Sequence, residues 1–138
     1  YGLILGWTSI TNEINFISII FYFGAIFWTL GYDTIYGFQD IKDDEIIGLK
    51  STSIKFKSKP IIFLNICYSL LIISLLTVGI LMKFNIFYFM CLIIIFYQLF
   101  FLQLKKLEIN SQSNCLKIFK SNNLVGLLIF VSLIIGKI

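Results

Sequence analysis

Three stretches of this sequence, residues 14–30, 61–82 and 86–104, run long enough, or nearly so, to cross a bilayer without one charged side chain. A helix needs about 20 apolar residues to cross the hydrocarbon layer, and there every backbone N–H and C=O must find a partner inside the protein. The runs are continuously apolar and do not alternate, which selects helices over a lipid-facing barrel. Two weaker segments flank them: residues 1–10, a partial span that begins inside an apolar stretch, and residues 124–135, a short closing helix. Apolar residues make up 59% of the chain and charged ones 13%, against about 25% charged in soluble domains. The expected fold is therefore all-α, a polytopic transmembrane helix bundle forming a single membrane domain over residues 1–138. Because the sequence opens on Tyr1 within an apolar run, it reads as a piece of a longer protein. Pro60 suits the first turn of its span, and Ser121, Asn122 and Asn123 offer capping groups before the last one.

Composition removes several chemistries. Histidine is absent, so neither a Ser/His/Asp triad nor a usual zinc site can be built from these residues. Cys67, Cys91 and Cys115 show no CxxC spacing and read as structural thiols. The net charge of +4 comes from lysine alone. Lys42, Lys50, Lys55, Lys57 and Lys59 fall in one connection and Lys105, Lys106, Lys117 and Lys120 in another. The lysines thus report membrane orientation, with both loops on the cytoplasmic or matrix side, and no nucleic-acid binding is expected.

The chemistry concentrates between Tyr32 and Thr52, which hold five of the seven acidic residues. If the helix of the second span continues past Leu30, steps of three, seven and eleven from Asp33 place Tyr36, Asp40 and Asp44 on one stripe. Carboxylates crowded beside lipid repel one another unless a cation lies between them. Magnesium takes oxygen ligands and joins one or two carboxylates to substrate phosphates, and Lys50 is placed to meet remaining phosphate charge. The competing reading is an ordinary solvated loop face, into which Asp43 and Glu45, off the stripe, fit without a role.

The run Tyr32 Asp33, Tyr36, Asp40, Asp44, then Gly48 Leu49 Lys50 Ser51 Thr52, resembles the second aspartate-rich motif of the UbiA family of intramembrane prenyltransferases, YDxxYxxxDxxxD followed by GxKST. It is most similar to the branch that prenylates 4-hydroxybenzoate, where alanine is usual at the position of Gly37. Cys115 to Leu127 resembles the entry to the family's last helix. The resemblance spans the chain and aligns it with the C-terminal portion of a nine-helix fold around a central cavity. Another aspartate-rich run, of the NDxxDxxxD kind, is absent and would belong to an N-terminal half of the same protein, which the resemblance makes a required partner.

What the resemblance implies is transfer of a polyprenyl group from polyprenyl diphosphate to 4-hydroxybenzoate in ubiquinone biosynthesis. Magnesium (Mg2+) would be held by Asp40 and Asp44, with Asp33 as a further ligand or supporting partner; Lys50 would bind diphosphate and Tyr36 would orient a carboxylate, a water or the acceptor. The setting would be a bacterial or mitochondrial inner membrane, with lipid around the bundle giving the isoprenoid tail sideways entry. Trp28, Tyr32 and Phe38 are candidates for stabilising positive charge, although lipid contact or packing explains most aromatics, and Trp7 reads as an interface anchor. A family member with another acceptor, a transporter fragment or a non-catalytic remnant would carry the same features.

Overall fold

The computed structural model describes residues 2–138 and, among them, contains helices and no strands. In chain order these are α1 (Gly2–Thr11), α2 (Phe16–Gly37), α3 (Ile41–Ile47), α4 (Thr52–Lys55), α5 (Pro60–Leu81), α6 (Ile86–Tyr97) and α7 (Gln112–Lys137). Tyr1, the first residue of the partial span, lies outside the described residues. Four helical segments are long and apolar enough to cross a membrane: α2, α5, α6 with its extension to Lys106, and α7. The all-helical, multi-pass expectation holds.

Local sequence sets the ends. Asn15 caps α2 by accepting from Ser18 N at 3.0 Å, and Asn85 caps α6 by accepting from Tyr88 N at 3.3 Å. Pro60 occupies the first turn of α5, as its missing N–H allows. The closing helix is longer than the apolar run suggests. It starts at Gln112 with Ser111 as its cap, so Ser121, Asn122 and Asn123 sit inside α7 and cap nothing. The buried positions Cys115, Ile118, Asn122, Val125, Ile129 and Ser132 follow helical spacing through both its polar and its apolar part. That continuous stripe carries the helix through a segment that hydropathy alone assigns to a loop.

The bundle is organised on α5, whose buried residues Leu64, Cys67, Tyr68, Leu71, Leu75 and Val78 contribute to the core. α2 lies against it with two glycines, two helical turns apart, at the contact. A Cβ on Gly31 would stand 2.8 Å from Tyr68 Cε1, and one on Gly24 would overlap Ser74. Small residues here let the backbones approach, the packing that lipid-embedded helices rely on when apolar burial gives little drive. Cys67 and Cys115 are buried, and all three cysteines are free, in keeping with structural thiols.

Two devices join the remaining helices. At one end Asn85 in the α5–α6 turn donates from its side chain to Ile135 O at 2.7 Å and from its backbone to Gly136 O at 3.1 Å, pinning the end of α7. Toward the other end the helix of α6 widens into a π-turn over Gln98–Gln103 before a short 3-10 turn to Lys106. The fully buried Gln103 at its close accepts from Tyr68 Oη and donates to Ser121 Oγ, both at 3.0 Å. α5, α6 and α7 are thus tied through one amide, leaving none of its partners orphaned in a low-dielectric core.

Candidate functional site

The two lysine-bearing connections meet at the same end of the bundle. Phe38, Gln39, Ile41, Lys42 and Lys57 from the first and Ile109, Asn110, Gln112 and Ser113 from the second enclose a groove of about 760 Å³. Their shared face, inferred from charge, is therefore present in the fold, while Lys83 lies in the α5–α6 turn at the opposite end.

α2 does continue past Leu30, carrying Asp33 and Tyr36, but it ends at Gly37. Its last N–H groups tighten: Phe38 N bonds Thr34 O and Ile35 O at 3.2 and 3.3 Å, and Gln39 N bonds Tyr36 O at 2.9 Å. The break turns both Phe38 and Ile41 into the core. Asp40 and Asp44 consequently belong to a second element, and the single unbroken stripe is replaced by two short ones. Asp40 is the N-cap residue of α3, yet its side chain makes no capping bond. Asp44 follows one turn later, its N–H bonded to Asp40 O at 3.0 Å, which puts both carboxylates on the same side of α3. Gly48, at φ 77°, ends α3 in the left-handed conformation, with Leu49 N returning to Asp44 O at 2.9 Å.

The second part of the motif is stitched to the first. Thr34 Oγ1 donates to Leu30 O at 2.7 Å and meets Thr52 Oγ1 at 2.7 Å, and the buried Ser53 packs on Gly37. A Cβ at Gly37 would come 2.5 Å from Ser53 Oγ, so alanine there requires Ser53 to move and the exchange is not the neutral one its size suggests. Ser51 caps α4, accepting from Ile54 N. These contacts hold the chain just after Lys50 against the last turns of α2, with the Lys50 side chain exposed.

Charge pairing leaves the site acids available. Among the described residues the only salt bridge joins Lys57 to Glu45, Nζ to Oε1 2.7 Å, which makes Glu45 part of a solvated ion pair. Among the described residues Asp33, Asp40, Asp43 and Asp44 have no lysine partner. Asp33 lies in a different cleft, lined by Leu3, Tyr22, Ala25, Ile26, Thr29 and Leu30 between α1 and α2. No group of three or more His, Cys, Asp or Glu side chains among the described residues is arranged to hold a metal ion. Asp40 and Asp44 alone, hard oxygen donors one turn apart, still match the one or two carboxylates that magnesium takes beside phosphate oxygens and water.

Beside these acids α2 presents an aromatic ladder. Trp28, Tyr32 and Tyr36 recur every fourth residue, and Phe119 of α7 lies 5.8 Å from the Tyr32 ring and 4.8 Å from that of Tyr36. Tyr36 is 42% exposed. Phe38, by contrast, is a core residue at the edge of the groove. Trp7 is half-buried on α1, with its indole N–H enclosed and unpaired. The Trp28–Asn122 and Gln103–Ser121 bonds were not legible as site features, because the two α7 residues read as caps.

The sequence model of the UbiA prenyltransferase family matches residues 1–134. The mitochondrial 4-hydroxybenzoate polyprenyltransferase of Dictyostelium discoideum is 35% identical over 140 residues, covering 100% of this chain and 30% of its own length. The 4-hydroxybenzoate octaprenyltransferase of Francisella tularensis subsp. novicida is 33% identical over 137 residues, covering 98% of this chain and 47% of its own length. The chain thus spans less than half the length of these curated relatives. No solved structure matches it.

Proposed function

The chain belongs to the UbiA prenyltransferase family, and from that premise we propose that it supplies one part of an enzyme that transfers a polyprenyl group from polyprenyl diphosphate to 4-hydroxybenzoate. The step is the ring prenylation of ubiquinone biosynthesis, in a bacterial or mitochondrial inner membrane. The remaining length seen in the relatives provides the rest of the acid set and of the cavity wall. The observation that carries the reading is the pair Asp40 and Asp44, one turn apart on α3, free of capping bonds and ion pairs and set at the end of a membrane helix.

In this reading Asp40 and Asp44 would hold magnesium, which would supply positive charge to neutralise the departing diphosphate. Asp33, in its own cleft between α1 and α2, is set apart from this pair and would act on it only through intervening groups. Lys50 meets the remaining phosphate charge with its mobile ammonium group. Tyr36, whose hydroxyl makes no hydrogen bond among the described residues, orients the acceptor or a carboxylate. The allylic C–O bond breaks, a C–C bond forms at the ring carbon beside the hydroxyl, and the ring proton leaves to restore aromaticity.

The test supplies the N-terminal half of a relative beside this chain in one membrane and assays prenylated 4-hydroxybenzoate. Product with the parent chain and none with Asp40→Ala supports the assignment; equal yields refute it. Offering homogentisate in parallel separates the proposed acceptor from another aromatic one.

A further inference from the structure

Resting on that reading, we propose that the cleft between α2 and α7 seats the isoprene units of the donor, and that Asn122 is the positioning residue that fixes the wall of this cleft. The cleft has a volume of about 380 Å³ and is lined by Trp28, Tyr32, Phe119, Asn122, Asn123 and Gly126. Its shape depends on one indole. Trp28 Nε1 donates to Asn122 Oδ1 at 3.0 Å. Asn122 is 5% exposed, and its amide nitrogen is engaged with Ile118 O at 3.2 Å and Phe119 O at 3.3 Å. With the nitrogen committed to its own helix, the oxygen is left to face the indole, so the amide has one orientation and the ring has one resting place. Gly126 provides the space beneath it, since a Cβ there would lie 3.1 Å from Trp28 Cη2. Tyr32 closes the side, edge-on to Trp28 with ring centres 5.5 Å apart.

The chemistry of the lining selects the occupant. None of its residues is charged, whereas the carboxylate of an aromatic acceptor needs a cation and a diphosphate needs metal and lysine. A neutral unsaturated chain needs neither, and ring faces and edges receive its double bonds. The geometry agrees, because from Tyr36 to Trp28 the ladder descends about 12 Å along α2 at 1.5 Å per residue. It starts beside the carboxylate-bearing end and runs into the bilayer. A donor whose diphosphate lies at Asp40 and Asp44 has its hydrocarbon directed along this line.

The test reads Trp28 by fluorescence in a Trp7→Phe background, where it is the single indole, with the full chain in phosphatidylcholine nanodiscs. Farnesol is the probe; it carries the hydrocarbon and no phosphate. Saturable quenching is expected in the parent, with the half-saturating farnesol concentration raised about five- to tenfold by Asn122→Leu, the loss of one buried hydrogen bond. Asn122→Gln keeps both the acceptor oxygen and the donor nitrogen and restores the parent midpoint. Gly126→Val fills the space beside the Trp28 ring and abolishes saturation, which keeps the test decisive if the Leu variant fails to fold. Quenching that never saturates, or equal midpoints in parent, Asn122→Leu and Gly126→Val, overturns the cleft. An Asn122→Gln variant as weak as Asn122→Leu overturns the positioning role. Inorganic diphosphate with magnesium is titrated separately, on membranes that also hold the complementary half. Failure of that arm alone refutes the acid site and leaves the cleft standing.

Discussion

The outer flank of α5 and α6 and the open flank of α2 and α7 are both built from membrane-length helices, yet they are finished differently. Along α5 and α6 the exposed side chains are Ile61, Ile62, Ile66, Ile73, Leu76, Ile80, Phe87, Met90, Ile93 and others of their kind, a surface only lipid covers without penalty. On α2 and α7 the halves far from the loops are equally greasy, with Phe23, Ile26, Leu127 and Phe130 exposed. Toward the loop end their exposed residues become Thr29, Asp33 and Tyr36, and Lys117, Lys120 and Asn123. Polar groups at that depth are costly in hydrocarbon and mark a cavity or a protein partner. One flank therefore suits lipid, and the other suits a cavity or a protein partner, as the proposed function requires.

The largest expected effect separates the acids on the second flank. With the complementary half supplied, Asp40→Ala should lower product formation about 10²- to 10³-fold, the scale of losing one charge-stabilising group at a reacting centre. Asp43→Ala, off the site face, should stay close to parent, and equal losses would return both residues to a merely solvated loop. Next comes a direct probe of the two flanks by membrane-insertion assay. Ile73→Lys on the lipid flank should cost about 2.5 to 3.5 kcal/mol, whereas Asn123→Lys, one turn from Lys120, should cost a small part of that because its ammonium reaches the polar end. Similar costs would erase the distinction.

Smaller effects test how α5 holds the flanks together. Gly31→Ala forces a methyl against Tyr68 and should destabilise the bundle by about 1 to 3 kcal/mol, read as a lower midpoint in denaturation from detergent. Gln103→Leu leaves the Tyr68 hydroxyl without its acceptor and should cost about 1 kcal/mol, with Tyr68→Phe in the same chain recovering part of it.

The apolar stretches made the membrane helices and their number legible, Pro60 marked one start, and lysine placement assigned two loops to one face. What escaped hydropathy was helix carried by polar residues. The Gln112–Asn123 part of α7 holds Lys117, Lys120 and Asn122, and only the spacing of Cys115, Ile118, Asn122 and Val125 reveals it as helix. The separation of α3 from α2 was not legible in the sequence, which suggested one continuous stripe; its cause is tertiary, since Phe38 and Ile41 turn into a core that other helices build. The π-turn before Gln103 likewise exists to aim one amide at Tyr68 and Ser121, and no local signal announces it. Of the site, the residue set came from the motif, while its division into an Asp40–Asp44 pair and a separate Asp33 came from the fold.

The most direct measurement is magnesium-dependent binding of geranyl diphosphate to membranes that hold this chain and its complementary half. Binding that a chelator removes, and that the Asp40→Asn, Asp44→Asn double variant weakens more than about tenfold, is the predicted result. Binding indifferent to both the chelator and the double variant would contradict the account.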